Sequence, residues 1–545
     1  MFKRKEKQKK QNWLKSAVVY QIYPRSFKDS NGDGVGDLEG IIEKLDYLND
    51  GTKESLGITA IWINPIYVSP MYDLGYDVSD HCGIDPLFGN LKTFDQLISE
   101  AHKRGIKIIM DFVPNHTSSE HPWFIESRSS RDNPKRDWYI WKNPKPDGSA
   151  PNNWVSKFGG SAWEFDEKTE QYYLHEFLPE QPELNWRNKE VRDAMSNVLR
   201  FWLDRGVDGF RTDSISYLLE DERFEDEPSN PNYIPGKDDP YESLLHVYSH
   251  GRLETVFTAN IFCKVLGEYK DRIMLSESYL GIYKMMEFYK TCTNKTIIPF
   301  NFNLISLPWD AMEYKKFIDK FENELGDDYW PNYVMGNHDR SRIVSRLGKE
   351  RARLVAILLL TLRGTPFIYY GEEIGMKDVQ IDSEQVADTW EKRIPGLRLG
   401  RDPERTPMQW NGRLHAGFSE STPWLPVDTD SKTCNVEDEI KDPHSMLSLY
   451  RHLIHTRNNS STLLSGSYKS IDIGVPDVFV YSREDENEQF LIVLNFGEES
   501  RVASIQGKGK GKIVCSTHLN KNGISVDLDM VPLKPHEGYV IRVER

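Results

Sequence analysis

The chain has 545 residues, enough for two or three domains of which one is large. With 38% hydrophobic and 28% charged residues, its composition is that of a soluble globular protein. A formal net charge of -15 argues against nucleic acid or an anionic membrane as the main partner.

The chain begins with a basic run, MFKRKEKQKK, and we predict a disordered basic tail over residues 1–12. No apolar stretch follows it, so the sequence predicts no signal peptide. The longest apolar run, Leu354 to Leu362, is about half of a membrane span and predicts a core helix. The five cysteines are scattered, without CxxC spacing. This pattern favours a reducing compartment without a zinc site, so we predict a cytoplasmic protein.

The first motif is the acidic stretch DSNGDGVGD, Asp29 to Asp37, whose spacing is that of the front half of an EF-hand loop. An EF-hand needs a bidentate Glu at its twelfth position, where this chain has Gly40, so a calcium sensor is not predicted. Hard oxygen ligands at this density suit calcium, and magnesium less well. The alternative to a metal site is that this stretch forms a solvated acidic turn. The predicted metal ligands are Asp29, Asn31, Asp33, the carbonyl of Val35, and Asp37.

Short, continuously apolar runs then alternate with amphipathic segments that end in Gly after basic residues, a pattern typical of strands covered on both faces and separated by helices. This alternation predicts a parallel (β/α)₈ barrel, with a doubly wound open sheet as the alternative. The predicted strands are Val18–Pro24, Ile58–Ile66, Ile106–Val113, Val207–Asp213, Arg272–Ser278, Ile297–Asn303, Tyr333–Asp339 and Thr365–Glu373.

Two long connections interrupt the alternation. Residues 115–185, after strand three, are rich in Trp, Pro and Asn and too long for a plain loop, so they predict an inserted subdomain. Residues 376–417 form a second long connection. After a last helix, alternating short runs predict an antiparallel β-sandwich domain over residues 460–545. The barrel would then consist of residues 13–114 and 186–459.

Charged and polar residues close several predicted strands. In a barrel the carboxyl ends of the strands meet at one mouth, and a lone carboxylate there would be costly to bury without a task or a partner. A structural ion-pair network is the alternative, but these strands supply too few basic partners for one. The converging residues are Asp111, His116, Arg211, Asp213, Glu277, His338 and Asp339.

The segments around these residues carry a family resemblance. DFVPNH (111–116), GFRTDSISY (209–217), SESY (276–279) and GNHD (336–339) resemble the four signature regions of the α-amylase superfamily of glycoside hydrolases. QPELN (181–185), DLGYDVSD (73–80) and RDPERTPMQW (401–410) resemble its α-glucosidase and oligo-1,6-glucosidase branch. The resemblance spans roughly residues 13 to 460, with the motifs in the family's order.

The resemblance implies a retaining glycosidase, which uses two carboxyl groups about 5 Å apart. It makes Asp213 the nucleophile, Glu277 the acid/base and Asp339 a group that grips sugar hydroxyls. Arg211 would keep the nucleophile ionised, and neighbouring carboxylates would raise the pKa of Glu277. His116 and His338 would bind sugar hydroxyls, and Asp111 would support the site from beneath.

The same branch removes single glucose units from the non-reducing end of an oligosaccharide. The resemblance assigns Asp73 and Arg405 to closing the pocket behind that glucose, with Arg401 as the competing arginine. Tyr76 would be the stacking platform. The wall of the pocket would be lined by Phe158, Phe177 and Gln181, with core packing as the alternative role of the two aromatic residues.

Linkage preference depends on the residue after the nucleophile. In this branch Val accompanies α-1,6 specificity, and a smaller or hydroxylated residue accompanies α-1,4. Ser214 therefore favours α-1,4 substrates such as maltose and short malto-oligosaccharides. The segment from Glu220 to His250 is expected on the acceptor side of the cleft.

Other enzymes and one non-enzyme share this resemblance. An oligo-1,6-glucosidase remains open, as does glucosyl transfer or sucrose conversion through the same covalent intermediate. A polymer-cutting amylase is a further alternative. The heavy-chain subunits of certain amino-acid transporters resemble the fold too, but they carry a membrane anchor and lack the full set of acids. The sequence does not fix an oligomeric state.

Overall fold

The structure is a computed structural model that describes residues 13–292 and 295–544. The predicted basic tail, residues 1–12, lies outside the described residues. In chain order, the β-strands are β1 (Val19–Ile22), β2 (Ala60–Ile63), β3 (Lys107–Phe112), β4 (Trp141–Lys142), β5 (Trp163–Asp166), β6 (Gln171–Leu174), β7 (Gly209–Thr212), β8 (Ile273–Ser276), β9 (Ile297–Pro299), β10 (Asn332–Val334), β11 (Thr365–Tyr369), β12 (Ser467–Ile471), β13 (Val478–Glu484), β14 (Gln489–Asn495), β15 (Arg501–Ala503), β16 (Lys510–Ser516), β17 (Ser525–Asp527), β18 (Val531–Leu533) and β19 (Gly538–Val543).

Helices alternate with these strands through the first three quarters of the chain. In chain order they are α1 (Pro24–Phe27), α2 (Leu38–Glu43), α3 (Leu45–Leu48), α4 (Leu91–Lys103), α5 (Pro122–Ser129), α6 (Lys189–Asp204), α7 (Glu254–Gly267), α8 (Ile282–Thr291), α9 (Asn303–Ser306), α10 (Ala311–Leu325), α11 (Ile343–Leu347), α12 (Lys349–Thr361), α13 (Thr389–Arg393), α14 (Val436–Glu439), α15 (Met446–Asn458) and α16 (Ser461–Ser465).

Eight of the strands form one parallel sheet in the order β10-β11-β1-β2-β3-β7-β8-β9. Neighbours in the sheet follow chain order around the ring, whereas a doubly wound sheet reverses its order at a switch point. The (β/α)₈ barrel is therefore confirmed and the open-sheet alternative is wrong. Every residue of β1, β2, β7 and β8 is buried, as helices outside and packed side chains inside require.

One side chain bridges the barrel where β9 and β10 meet. The Asn332 side-chain amide donates to the Pro299 carbonyl at 2.7 Å, and its oxygen accepts from the Asn301 backbone N–H at 3.0 Å. A side-chain amide has both a donor and an acceptor, so it can take the place of a rung in the strand ladder.

The region between β3 and α6 confirms the predicted inserted subdomain. It contains a three-stranded antiparallel sheet in the order β4-β6-β5. Its small core includes Trp154, Trp163 and Leu174. The subdomain joins the barrel beside the site through a bridge between His116 and Glu183.

The predicted antiparallel C-terminal domain is also present. It has a six-stranded sheet, β12-β13-β14-β19-β16-β17, and a two-stranded sheet, β15-β18. It packs on α12, where the Arg353 Nε donates to the Thr517 carbonyl at 2.7 Å. At Gly538 an added Cβ would meet Leu354 Cδ1 at 2.6 Å, so a larger residue there would require this leucine side chain to move.

The apolar run from Leu354 to Leu362 lies in α12 and at its end and is buried throughout, as predicted. None of the helices within residues 13–292 and 295–544 has the length and apolarity that crossing a bilayer would need. Cys263 on α7 forms a disulfide with Cys292 after α8. The prediction of a reducing compartment treated the cysteines as scattered and took no account of a pair, so this disulfide removes its main support. The cytoplasmic location stays a prediction.

Candidate active site

A cavity of about 630 Å³ opens where the barrel strands end. Most of the residues predicted for the site lie on its wall. Gln181, Arg211 and Arg405 are buried behind the wall and contact residues that line it. The predicted residues on the wall are Asp73, Tyr76, His116, Phe158, Phe177, Asp213, Ser214, Glu277, His338 and Asp339.

Arg211 joins the two predicted catalytic carboxylates. Its Nη1 lies 2.7 Å from Asp213 Oδ1, and its Nη2 lies 2.7 Å from Glu277 Oε1. The guanidinium is 1% exposed. Two carboxylates held by neighbouring nitrogens of one guanidinium are close enough for the separation of roughly 5–5.5 Å that retaining glycosidases use.

Burial raises the pKa of Glu277 to about 8. The Arg211 charge opposes this rise, while the Asp213 and Asp339 carboxylates add to it. The Ser214 backbone N–H donates to the second oxygen, Oε2, at 3.1 Å. Glu277 therefore holds a proton at neutral pH, which a general acid requires.

Ser214 has a left-handed backbone, with φ of 47°. This conformation turns the chain sharply after the nucleophile strand and points the Ser214 N–H at Glu277. A β-branched side chain is strained at such a φ. Ser214, the residue expected to affect linkage preference, thus also links the two carboxyl groups: it follows Asp213 in the chain, and its backbone N–H contacts Glu277.

Asp111 lies beneath the site, as predicted, and is fully buried. It accepts hydrogen bonds from Trp62 Nε1 at 2.8 Å and from the Tyr76 hydroxyl at 2.9 Å. Burial raises its pKa to about 7, with the Arg211 charge, 3.4 Å away, opposing the rise. It does not line the cavity, so it can orient Tyr76 and Arg211 without touching a ligand.

The Asp339 carboxyl group has a lowered pKa. Burial alone would raise this pKa, but the charges of Arg405 and Arg401 hold it well below the usual range. Its Oδ1 lies 2.8 Å from Arg405 Nη2 and 3.5 Å from Arg401 Nη1. Asp339 is therefore an anionic acceptor aimed at the cavity.

Arg401, and not Arg405, pairs with Asp73 on the cavity wall, so the assignment of Arg405 beside Asp73 is wrong. Arg401 Nη2 lies 2.8 Å from Asp73 Oδ1, and its Nε lies 2.8 Å from Asp388 Oδ2. The Arg405 side chain contacts His338 instead of Asp73, and its Nε donates to the His338 carbonyl at 2.7 Å. Asp388 lies in the long connection 376–417 and had no motif to mark it.

The two predicted histidines are held neutral. Burial lowers the pKa of His116 to about 4 and that of His338 well below its usual value. His338 stacks on Tyr76, with ring centroids 5.6 Å apart and planes at 5°, and its Nε2 lies 2.6 Å from the Tyr76 hydroxyl. Gln181 joins His116 Nε2, at 3.0 Å, to Asp73 Oδ2, at 3.1 Å. These contacts fix the rings on the cavity floor.

The aromatic wall belongs to both the cavity and the core. Phe158 packs on Phe177 at 6.0 Å and on Trp390 at 5.4 Å, and Phe177 packs on Tyr217 at 5.5 Å. The expected segment from Glu220 to His250 forms much of the remaining wall. Its lining residues are Asn230, Asp239, Tyr241, Glu242, Leu244, Leu245, His246 and His250. Neither Trp390 nor the individual residues of this segment were marked by a sequence motif.

The predicted metal loop lies after α1, away from the cavity. Asp29 accepts from the backbone N–H groups of residues 31, 32 and 34 and from the Ser419 hydroxyl at 2.6 Å. Asn31 accepts from the Asp33 N–H, Asp33 accepts from the Val35 N–H, and Asp37 caps α2. The oxygen-only donor set fits calcium in its chemistry. However, no three His, Cys, Asp or Glu side chains cluster suitably for a metal in the described part of the chain.

Comparisons with known proteins show the family of the chain. The model of the α-amylase catalytic domain matches residues 21–466. The oligo-1,6-glucosidase of Heyndrickxia coagulans is 41% identical over 530 residues, 90% of this chain and 93% of that protein. The α-glucosidase of Culex pipiens is 40% identical over 550 residues, 97% and 91% of the two chains.

Among solved structures, the α-glucosyl transfer enzyme XgtA superposes with a TM-score of 0.90 at 36% identity, covering 98% of this chain and all of that one. The trehalulose synthase MutB of Pseudomonas mesoacidophila superposes with a TM-score of 0.86 at 35% identity, covering 98% of this chain and 99% of that one. The chain belongs to the α-amylase family and is a glycoside hydrolase.

Proposed function

We propose that this enzyme is a retaining, exo-acting α-glucosidase that releases terminal non-reducing glucose from maltose and short oligosaccharides. The observation that supports this most is the pair of carboxyl groups, Asp213 and Glu277, bound by one guanidinium inside a cavity closed at its other end by Asp73 and Arg401. The closed end favours removal of one glucose at a time, and a chain-cutting amylase would need an open cleft there.

Double displacement assigns one task to each carboxyl group. Asp213, paired with Arg211, attacks the anomeric carbon and forms a glucosyl ester. Glu277 gives its proton to the oxygen of the leaving alcohol in that step. It then takes a proton from the water that cleaves the ester, so the anomeric configuration is retained. Asp339 would accept hydrogen bonds from sugar hydroxyls as positive charge develops on the ring.

The preferred linkage is proposed to be α-1,4, because Ser214 is small and polar. Ser214→Val should shift the ratio of kcat/KM for isomaltose over maltose upward by about tenfold, a differential of ~1.4 kcal/mol. Ser214→Ala is the matched control and should leave the ratio unchanged. Val adds β-branching on the left-handed backbone of residue 214, which can lower both rates, so the ratio is more informative than either rate alone. An unchanged ratio in Ser214→Val would contradict this role.

The alternatives are an oligo-1,6-glucosidase and an enzyme of glucosyl transfer or sucrose conversion. Relatives and solved structures of each kind are similar to this chain. One panel separates them: initial rates with maltose, isomaltose, sucrose, trehalose and starch, with product analysis. Net glucose release from maltose ahead of isomaltose and starch supports the proposal. Isomaltose as the best substrate, or isomerised sucrose as the main product, would replace it.

We further propose that the loop Asp29–Asp37 binds calcium as a structural ion, with magnesium the weaker alternative. Calcium would neutralise the carboxylates of the loop, and it would take no part in the reaction. Chelation should lower the melting temperature by several degrees while the initial rate at 25 °C stays within about twofold, since ~1 kcal/mol shifts Tm by roughly 2–4 °C in a large domain. Restoration by calcium but not magnesium identifies the ion. No change in melting temperature would mean that the loop is an acidic turn.

A further inference from the structure

Asp388, in the long connection 376–417, is a fully buried carboxylate that takes no part in the two catalytic steps. Its Oδ2 accepts from the Arg401 backbone N–H at 2.7 Å and from Arg401 Nε at 2.8 Å. Its Oδ1 accepts from Arg401 Nη2 at 2.9 Å and from the Trp390 N–H at 3.0 Å. Burial alone would raise the pKa of Asp388, but the Arg401 charge and these hydrogen bonds hold it well below the usual range. Asp388 therefore holds Arg401 by its backbone and by one edge of its guanidinium.

The backbone of Asp388 is held in return by the residue that follows Arg401. Asp402 Oδ2 accepts from the Ala387 N–H at 2.7 Å and from the Asp388 N–H at 2.9 Å. Residues 387–388 and 401–402 are thus joined by hydrogen bonds in both directions, and we call these four residues the aspartate clamp. Carboxylates suit this task because each can accept several N–H donors at once.

The part of Arg401 that the clamp leaves free faces the cavity. Its Nη2 also lies 2.8 Å from Asp73 Oδ1, and its Nη1 lies 3.5 Å from Asp339 Oδ1. The guanidinium carbon lies 5.2 Å from the centroid of the Phe158 ring. Arg401 and these three neighbours line the cavity, whereas Asp388 does not. Asp388 would therefore act on a bound sugar only through Arg401 and the residues next to it.

Asp388 also caps α13, which carries part of the cavity wall. Trp390 of this helix lines the cavity and packs on Phe158 with ring centroids 5.4 Å apart. Arg393, at the end of the helix, donates from Nε to the Phe158 carbonyl at 3.1 Å and from Nη2 to the Gly159 carbonyl at 3.0 Å. One carboxylate thus connects the arginine of the cavity with the aromatic wall of the inserted subdomain.

We propose that Asp388 is a positioning residue for the terminal glucose, because it orients Arg401 for the sugar and holds α13 against the aromatic wall. This proposal rests on the proposed function. Without the carboxylate, the Nε edge of Arg401 would lose its acceptor, and the guanidinium would be free to turn from Asp73 toward Asp339. The loss should therefore fall on the binding of glucose and not on proton transfer by Glu277.

Asp388→Asn separates this role from the helix cap, because Asn caps a helix as well as Asp does. When its oxygen accepts from the Trp390 N–H, its amide NH₂ faces the N–H and Nε of Arg401, so donor meets donor. We expect the inhibition constant for glucose to rise at least tenfold at 25 °C and kcat/KM for maltose to fall by a similar factor. Asp382→Asn, an isosteric change in an exposed carboxylate of the same connection, is the matched control and should change neither quantity.

A double-mutant cycle with Arg401→Gln tests whether Asp388 acts through Arg401. In the Arg401→Gln background, Asp388→Asn should change the dissociation constant of glucose, measured from the rise in Tm that glucose causes, by less than about twofold. It should also raise Tm in that background, although it lowers Tm in the wild type, because it removes a charge that Arg401→Gln leaves buried without a partner. Additive changes in the dissociation constant, or an unchanged constant in folded Asp388→Asn, would overturn the proposal.

The outcomes also separate this proposal from the proposed function. A wild-type enzyme that binds glucose but hydrolyses no α-glucoside would overturn the proposed function, while the cycle on glucose binding would still decide the role of Asp388. Hydrolysis of maltose together with unchanged glucose binding in Asp388→Asn would overturn only the positioning role. A wild-type enzyme that neither hydrolyses an α-glucoside nor binds glucose would overturn both.

Discussion

Asp213→Asn and Glu277→Gln should each lower kcat for maltose at least 10³-fold, a loss of about 4 kcal/mol of transition-state stabilisation. Asn at 213 keeps the size of the side chain but removes the anionic nucleophile. Gln at 277 removes the proton donor, and general acid catalysis alone is worth roughly 10²–10⁴-fold. Both substitutions are isosteric, and each leaves an amide that can still contact Arg211, so the fold should persist.

The measurement is kcat by glucose release, with circular dichroism and thermal melting to verify folding. Asp193→Asn, an isosteric change in an exposed carboxylate on α6, is the control and should keep full activity. If either site variant retains activity within about tenfold of wild type, a difference of only ~1.4 kcal/mol, the assignment of that carboxyl group fails. A lost fold would show in the melting curve, and Glu277→Asp then tests the position at unchanged charge.

The sequence predicted the barrel because its strands have a strong and simple signal. Strands such as β2 and β8 are covered on both faces, so they read as continuous apolar runs. The carboxylates that follow β7 and β8 must then lie at one mouth of the barrel. The placement of Asp111 beneath the site followed from the same logic. These inferences need only the direction of each strand and the position of a residue at its end.

The sequence alone did not determine which of two neighbouring arginines contacts Asp73. Arg401 and Arg405 lie four residues apart in one motif, and a short turn between them, Asp402–Glu404, sends their side chains in different directions. Arg401 is turned toward Asp73 because Asp388, from elsewhere in the long connection, takes the other edge of its guanidinium. A contact between distant segments thus decides which arginine pairs with Asp73.

The disulfide could not be predicted from the sequence for a related reason. Cys263 and Cys292 are 29 residues apart and meet only because α7 and α8 pack on each other around the barrel. Nothing in their spacing indicates this neighbourhood.

Arg401→Gln should lower kcat/KM for maltose by roughly 10²–10³-fold and raise the inhibition constant for glucose by a similar factor. The guanidinium contacts Asp73 at 2.8 Å, Asp388 at 2.8 Å and Asp339 at 3.5 Å. Removing one partner of a buried ion pair typically costs 3–5 kcal/mol, because the remaining carboxylates stay buried without compensation. Part of this cost should appear as a lower melting temperature, so rates are compared below the Tm of the variant.

Inhibition by glucose makes this prediction specific, because glucose can occupy the closed end without any aglycone. If Arg401 only stabilised the fold, the inhibition constant for glucose would stay near that of wild type at a temperature where the variant is folded. Arg401→Lys keeps the charge but loses the planar fork, so it should recover stability more than glucose binding. Arg413→Gln, on a side chain that is 79% exposed, is the control and should change neither quantity. If a folded Arg401→Gln variant shows unchanged inhibition by glucose, Arg401 does not bind the terminal glucose. The argument that the enzyme removes glucose from the chain end would then fail as well.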